Sequence, residues 1–252
     1  MNNQILKIAL ETLEAGRQCC LATIVSVNGS GPRHHSTKML VHNNGDFYGT
    51  IGGGAFEYHI IEQAQKCLQT GTSQKVTVNL TTDLGMCCGG RMEVFLEVLS
   101  PPKHLIIYGG GHVGRALAKI AHLTKYKVTV IDSREQWIDQ EDFPEGIHCI
   151  YADPIVSIEN LPFGPRTNHF ITTHSHALDQ QILMKIYDKQ CTWLGMIGSK
   201  TKRIKFMTRC KAAGLEPSDF SRLQTPAGID INAETPMEIA ISIMADIIKS
   251  NA

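Results

Sequence analysis

The sequence carries no excess of either charge: 24 lysines and arginines balance 24 aspartates and glutamates over 252 residues. A chain that neutralises many phosphates needs a basic surplus, so a general nucleic-acid binder is excluded. Long hydrophobic runs are missing too. The longest apolar stretch, Ile239 to Ile248, is broken by Ser242 and Asp246 and is too short to cross a bilayer. The opening residues MNNQILKIALETLEAG read as an amphipathic helix without the apolar core or cleavage site of a signal peptide. The expectation is a cytoplasmic protein with no membrane partner. Cysteine is sparse at 8 residues, and neither adjacent pair, Cys19-Cys20 or Cys87-Cys88, has the C-x-x-C spacing of a zinc or redox motif. Reduced thiols are therefore expected, not a disulfide scaffold. Internal repeats and low-complexity tracts are absent. What remains is an ordinary folded balance, 42% hydrophobic and 19% charged, which excludes intrinsic disorder.

The chain divides at Ser100-Pro101-Pro102-Lys103. Two consecutive prolines neither extend a helix nor donate to a sheet, and they stiffen a linker. The expected domains are 1–100 and 103–252. In the first, a helix over about Gln4–Ala15 precedes strands Cys20–Val27 and Lys38–His42, and Asn43 to Asp46 turns the chain into Phe47–Thr50. Gly52-Gly53-Gly54 opens a helix over Ala55–Gln69, followed by strands Lys75–Leu80 and Arg91–Val98. That pattern predicts a smaller N-terminal α+β domain with its unusual residues in glycine-rich loops. Beyond the prolines, strands His104–Tyr108, Lys127–Ile131, His148–Tyr151, His169–Thr173 and Trp193–Ile197 alternate with helices, the first over Val113–Leu123. Continuous apolar strands alternating with helices predict an α/β, Rossmann-like doubly wound parallel sheet.

A dinucleotide signature opens this second domain. Gly109, Gly111 and Gly114 form G-x-G-x-x-G after a strand and before a helix, and Asp132 ends the next strand. Gly109 permits the tight turn, Gly111 lets backbone approach a diphosphate, and Gly114 lets the helix pack on the strand. Asp132 stands where it would accept hydrogen bonds from a ribose diol. NAD fits better than NADP, since a 2′-phosphate would meet that carboxylate, although Arg134 weakens the preference. The alternative is a Rossmann domain that has lost its nucleotide. His174-Ser175-His176 with Asp179 offers metal-ligand residue types but no fourth ligand at convincing spacing, so His174 and His176 read as part of a polar, cleft-lining loop.

Three loops of the first domain add to this. Gly52, Gly53 and Gly54 form either an anion nest or a plain strand-to-helix turn. Glu57 suits the dipole of the helix that follows, whatever the loop does. Cys88-Gly89-Gly90 sets a thiol beside backbone that can approach a ligand closely, and Arg33 offers a phosphate fork. Together they favour a polar, phosphate-bearing ligand.

In this order the blocks are specific. GSGPRHHSTKML (29–40), GTIGGGAFE (49–57), CGGRME (88–93), VTVIDSR (128–134), THSHALD (173–179), GMIGSKTKR (195–203) and the stretch 226–248 resemble the xanthine dehydrogenase accessory protein family, the XdhC/CoxI-type maturation factors. The resemblance implies binding of the molybdenum cofactor (molybdopterin), a phosphate-bearing pterin whose dithiolene holds molybdenum. It implies protection during sulfuration, with a cysteine desulfurase as sulfur donor, and delivery to apo xanthine dehydrogenase or a related molybdenum hydroxylase. It gives the glycine loops and Arg33 to the pterin and phosphate, Cys88 to a soft contact with molybdenum or sulfur, and it allows a homodimer. Such a protein is an accessory binder more than a catalyst. The alternatives are an NAD(P)-dependent oxidoreductase, with His174 or His176 as acid or base, and a metal-dependent hydrolase, which lacks a ligand set. Two departures stand out: Ala55 where relatives often carry cysteine, and Ser175 where T-H-D-H has aspartate.

Overall fold

The computed structural model describes residues 2–29, 34–85, 90–199, 203–204, 206, 208–209 and 222–251, in two units that divide between Pro101 and Pro102. The first unit runs α1 (Asn2–Glu14), β1 (Cys19–Asn28), β2 (Lys38–His42), β3 (Phe47–Gly49), α2 (Gly54–Thr70), β4 (Gln74–Asn79) and β5 (Arg91–Leu99). Its sheet has the order β3-β2-β1-β5-β4, antiparallel throughout. Alternation along β1 explains the layers. Cys20, Ala22 and Ile24 join Phe56 and Ile60 of α2 in one core, while Cys19 and Leu21 meet Ile5 and Ala9 of α1 in another. Each large side chain so buried stabilises the unit by about 1.5–3 kcal/mol. The adjacent cysteines are thus core residues on opposite faces. Burial pushes the thiols of Cys19 and Cys20 up to about 11 and about 12, which keeps them protonated and inert.

The second unit runs β6 (His104–Tyr108), α3 (His112–Leu123), β7 (Lys127–Asp132), β8 (Ile147–Tyr151), α4 (Pro154–Ser157), β9 (Gly164–Ile171), α5 (His176–Ile186), β10 (Cys191–Met196), β11 (Leu223–Gln224) and α6 (Pro236–Ser250). Its six strands are ordered β11-β10-β9-β6-β7-β8, parallel at every pairing. This is the doubly wound Rossmann order. All five residues of β6 are buried because both faces are covered. Leu105 and Ile107 pack with residues of α3 and α6, whereas Ile106 and Tyr108 pack with residues of α5. Winding reverses between the neighbouring strands β6 and β9, so the crevice of an open α/β sheet falls at their carboxyl ends. Among the described residues no helix is long and apolar enough to cross a membrane.

Two strands depart from the sequence-based expectation: β11 has no counterpart in it, and β9 has other bounds. β9 begins at Gly164 and stops at Ile171, instead of running from His169 to Thr173. Its middle, Thr167 to His169, is polar yet buried: Asn168 is 0% exposed, donates to the His104 carbonyl and accepts from Asn251. Those bonds satisfy the amide inside the core, and they hide the strand from any search for apolar runs.

Candidate functional site

The glycine turn is built by close approaches. Gly109 has φ 118, and a Cβ there would lie 2.3 Å from the Thr172 carbonyl oxygen, so only glycine passes so near the end of β9. A Cβ at Gly114 would come 1.9 Å from the Gly109 oxygen, which fixes how tightly α3 crosses the turn. Gly111 differs. Among the described residues, a Cβ there meets nothing within 4 Å, and Gly111 is the N-cap of α3 with no side chain to bond the first-turn amides. Those amides and the helix dipole face outward, the arrangement that receives anions.

Asp132, beside this turn, is committed within the chain. It is 3% exposed and accepts from Gly110 N at 2.8 Å, from Arg134 N at 3.0 Å, and from Arg134 Nε and Nη2 at 2.9 and 2.8 Å. Burial alone would raise its pKa, but the Arg134 fork and the two amides outweigh it and hold the carboxyl below the usual range. The Arg134 guanidinium lies 5.4 Å from the Trp137 ring centroid. Trp137 in turn packs its carbonyl against Gly110, 2.1 Å from where a Cβ would stand, and its ring meets His112 edge-on at 4.8 Å. Asp132 as a ribose-diol acceptor therefore needs correcting: its oxygens are spent on Arg134 and Gly110. Arg134 and Trp137 were not among the site residues read from the sequence. The i, i+2 spacing of Asp132 and Arg134 was the only signal for the pair.

The loop after β9 is stapled by Asp179. This buried carboxylate accepts from Thr173 N at 2.9 Å and Thr173 Oγ1 at 2.6 Å, and lies 3.5 Å from His176 Nδ1. Burial raises its pKa against those bonds. Ser175 caps α5 by accepting from Leu178 N, which is the local reason the helix starts there. His174 and His176 are exposed. Among the described residues no group of three or more His, Cys, Asp or Glu could hold a metal ion.

In the first unit the glycine run is internally satisfied. Gly52, Gly53 and Gly54 have φ of 142, 76 and 61, a succession open to glycine. The curled backbone wraps the Glu57 carboxylate, whose Oε2 accepts from Thr50 Oγ1 at 2.6 Å, Ile51 N at 3.0 Å and Gly53 N at 3.3 Å. Gly52 N turns to Thr50 Oγ1 at 3.2 Å. The expected anion nest thus holds an anion of the chain itself, which corrects its reading as a ligand cradle. Glu57→Ala should cost about 2 kcal/mol by orphaning these donors, with a smaller loss for Glu57→Gln. Thermal denaturation checks this, and an unchanged midpoint would remove the carboxylate from the loop. Gly90 is buried, and its carbonyl accepts from Leu80 N at 2.9 Å. Arg33, Cys88 and Gly89 lie outside the described residues.

Residues 105–247, more than half of the chain, match the family model described as the XdhC Rossmann domain, and residues 12–79 match that of the XdhC and CoxI family. The chain is 34% identical over 257 residues to the uncharacterized protein YqeB of Escherichia coli K12, covering 98% of this chain and 47% of that protein. It is 30% identical over 160 residues to a Bacillus subtilis 168 protein named as a probable xanthine dehydrogenase subunit, covering 63% and 46%. A shorter match, 26% over 105 residues, joins it to the molybdenum cofactor insertion chaperone PaoD of Escherichia coli K12, covering 40% and 33%. The chain spans about half the length, or less, of the curated relatives it matches. The crystal structure of a xanthine dehydrogenase from Bacillus halodurans shares its fold, with TM-score 0.54 at 22% identity over 96% of this chain and 94% of that one. The chain belongs to the XdhC/CoxI family, with an XdhC Rossmann domain as its second unit.

Proposed function

We propose that this protein is a maturation factor that holds the molybdenum cofactor as cargo, shields it during sulfuration and hands it to apo xanthine dehydrogenase or a related molybdenum hydroxylase. One observation supports this: the N-terminus of α3 has no side-chain cap and open space at Gly111, while Asp132 is engaged by Arg134. Gly111 opens onto unobstructed space at the N-terminus of α3, whereas Arg134 and Trp137 fill the end where a ribose would reach Asp132. That outline suits a ligand with one phosphate and a compact ring system, as in a phosphate-bearing pterin. The first-turn amides of α3 would take the phosphate, and the His174–His176 loop at the neighbouring strand end would line the crevice. The family resemblance assigns Cys88, outside the described residues, a soft contact to molybdenum or sulfur, with a cysteine desulfurase as donor. The names of PaoD and of the Bacillus subtilis relative support the same class of partner. An NAD-dependent oxidoreductase is the weaker reading, because it requires a diol acceptor at Asp132 that Arg134 already occupies.

The test is anaerobic purification followed by oxidation and pterin fluorescence. Wild type should carry or take up the cofactor, and Cys88→Ser should retain the sulfurated form less well than Cys87→Ser. Equal retention by both variants and wild type removes Cys88 from the site, and absence of uptake by wild type overturns the function.

A further inference from the structure

The Rossmann unit has a second concavity at the pole opposite the glycine turn. Lys103 precedes β6, Lys125 lies between α3 and β7, and Arg166 is near the start of β9, so all three stand at the amino-terminal ends of strands. They line one cavity of about 390 Å³ together with Tyr126 and Ile248, and among the described residues its lining contains no carboxylate side chain. Burial, and then the neighbouring Arg166, lower the pKa of Lys103, and burial lowers that of Arg166 against the opposing influence of Tyr126.

Lys125 adds an independent sign. It sits at φ 64, where the chain leaves α3 with Lys125 N bonding the His122 carbonyl at 3.0 Å and Tyr126 N the Ala121 carbonyl at 3.1 Å. Glycine is the residue that such a helix end favours, and a lysine there carries backbone strain. Helix dipoles account for part of the cluster, since cations suit the carboxyl ends of α3 and α6, and Lys103 donates to the Asn251 carbonyl at 2.7 Å. Arg166 reaches the same cavity from a strand.

We propose that this cavity binds a small organic phosphate, the phosphate held by Lys103, Lys125 and Arg166 and the organic moiety resting against Tyr126 and Ile248. Two ammonium groups and a guanidinium fork match a phosphate dianion better than a single carboxylate. The volume falls within the range of small-molecule sites and exceeds what a bare phosphate fills.

Calorimetry on the full chain, with AMP and inorganic phosphate as probes, tests this against the glycine turn at the other pole. AMP should bind, and more tightly than inorganic phosphate. Lys125→Gly should weaken it about tenfold, the loss of one charge-assisted contact, while raising the melting temperature by relieving the strain. Arg166→Gln should weaken it similarly, and in Gly111→Asp, where the turn is closed to phosphate, AMP should still bind at this cavity and still be weakened by Lys125→Gly. Equal affinity for the two probes would overturn the organic part and make free phosphate the ligand. Absence of binding by either probe at millimolar concentration overturns the site. So does AMP affinity untouched by Lys125→Gly, or AMP binding abolished by Gly111→Asp.

Discussion

Gly111→Asp is expected to abolish retention of the cofactor while leaving the fold slightly more stable. Residue 111 has φ −62 and ψ −174, extended backbone that any residue adopts, and an added Cβ meets nothing within 4 Å among the described residues. Aspartate is moreover a favoured N-cap, so its carboxylate should accept from the first-turn amides of α3 and stabilise the unit by a few tenths of a kcal/mol, roughly the margin over glycine. The same amides are the ones assigned to the phosphate. A resident carboxylate therefore both occupies the donors and repels the incoming anion, and like charges so placed cost several kcal/mol, about 100-fold or more in affinity. Gly111→Ala, which adds a methyl without charge, should fall between. Pterin content after anaerobic purification gives the binding, and a thermal melt gives the stability. Full pterin content in a well-folded Gly111→Asp protein would move the ligand away from the Rossmann turn.

That the turn could be found in the sequence at all follows from how local its constraints are. Two of its three motif glycines answer to a nearby backbone atom, Gly109 to Thr172 and Gly114 to Gly109. β6 was equally legible, because a strand covered on both faces must be apolar at every position. Long-range and side-chain geometry was not legible. Thr167, Asn168 and His169 are buried polar residues, and nothing in their order says that His104 and Asn251 satisfy Asn168. Glu57 reads as an ordinary first-turn acid until three successive left-handed glycines bring the amides of Ile51 and Gly53 onto its carboxylate. Asp132 ends β7 as the sequence suggested, yet whether its oxygens faced a ligand depended on Arg134 folding back over Trp137. That is a rotamer, and composition and periodicity carry no information on it.

Arg134→Ala is expected to destabilise the Rossmann unit by about 3 kcal/mol, since removing one partner of a buried pair leaves the other charge uncompensated, and to lower its melting temperature by about 6–12 °C. Asp132 is 3% exposed and the Arg134 side chain 27%, so the carboxylate has little water to fall back on. The pH dependence separates this from a simple packing loss. In the wild type the pair depresses the Asp132 pKa. Its contribution is therefore present above the unfolded carboxylate value of about 4 and is lost as pH falls through the lower folded value. In Arg134→Ala, burial is opposed by only the two amides, the folded pKa rises, and the buried carboxylate becomes a liability at neutral pH that protonation relieves. The gap between wild type and variant should then be widest near pH 7 and narrow as pH approaches 4. Adding Asp132→Asn to Arg134→Ala should recover part of the loss at pH 7, because the buried charge is gone while the Gly110 amide keeps an acceptor. Urea unfolding of the three proteins at the two pH values measures this. A loss below about 1 kcal/mol that does not vary with pH would mark Asp132 and Arg134 as a solvated surface pair, and would reopen the ribose end of the crevice to a dinucleotide.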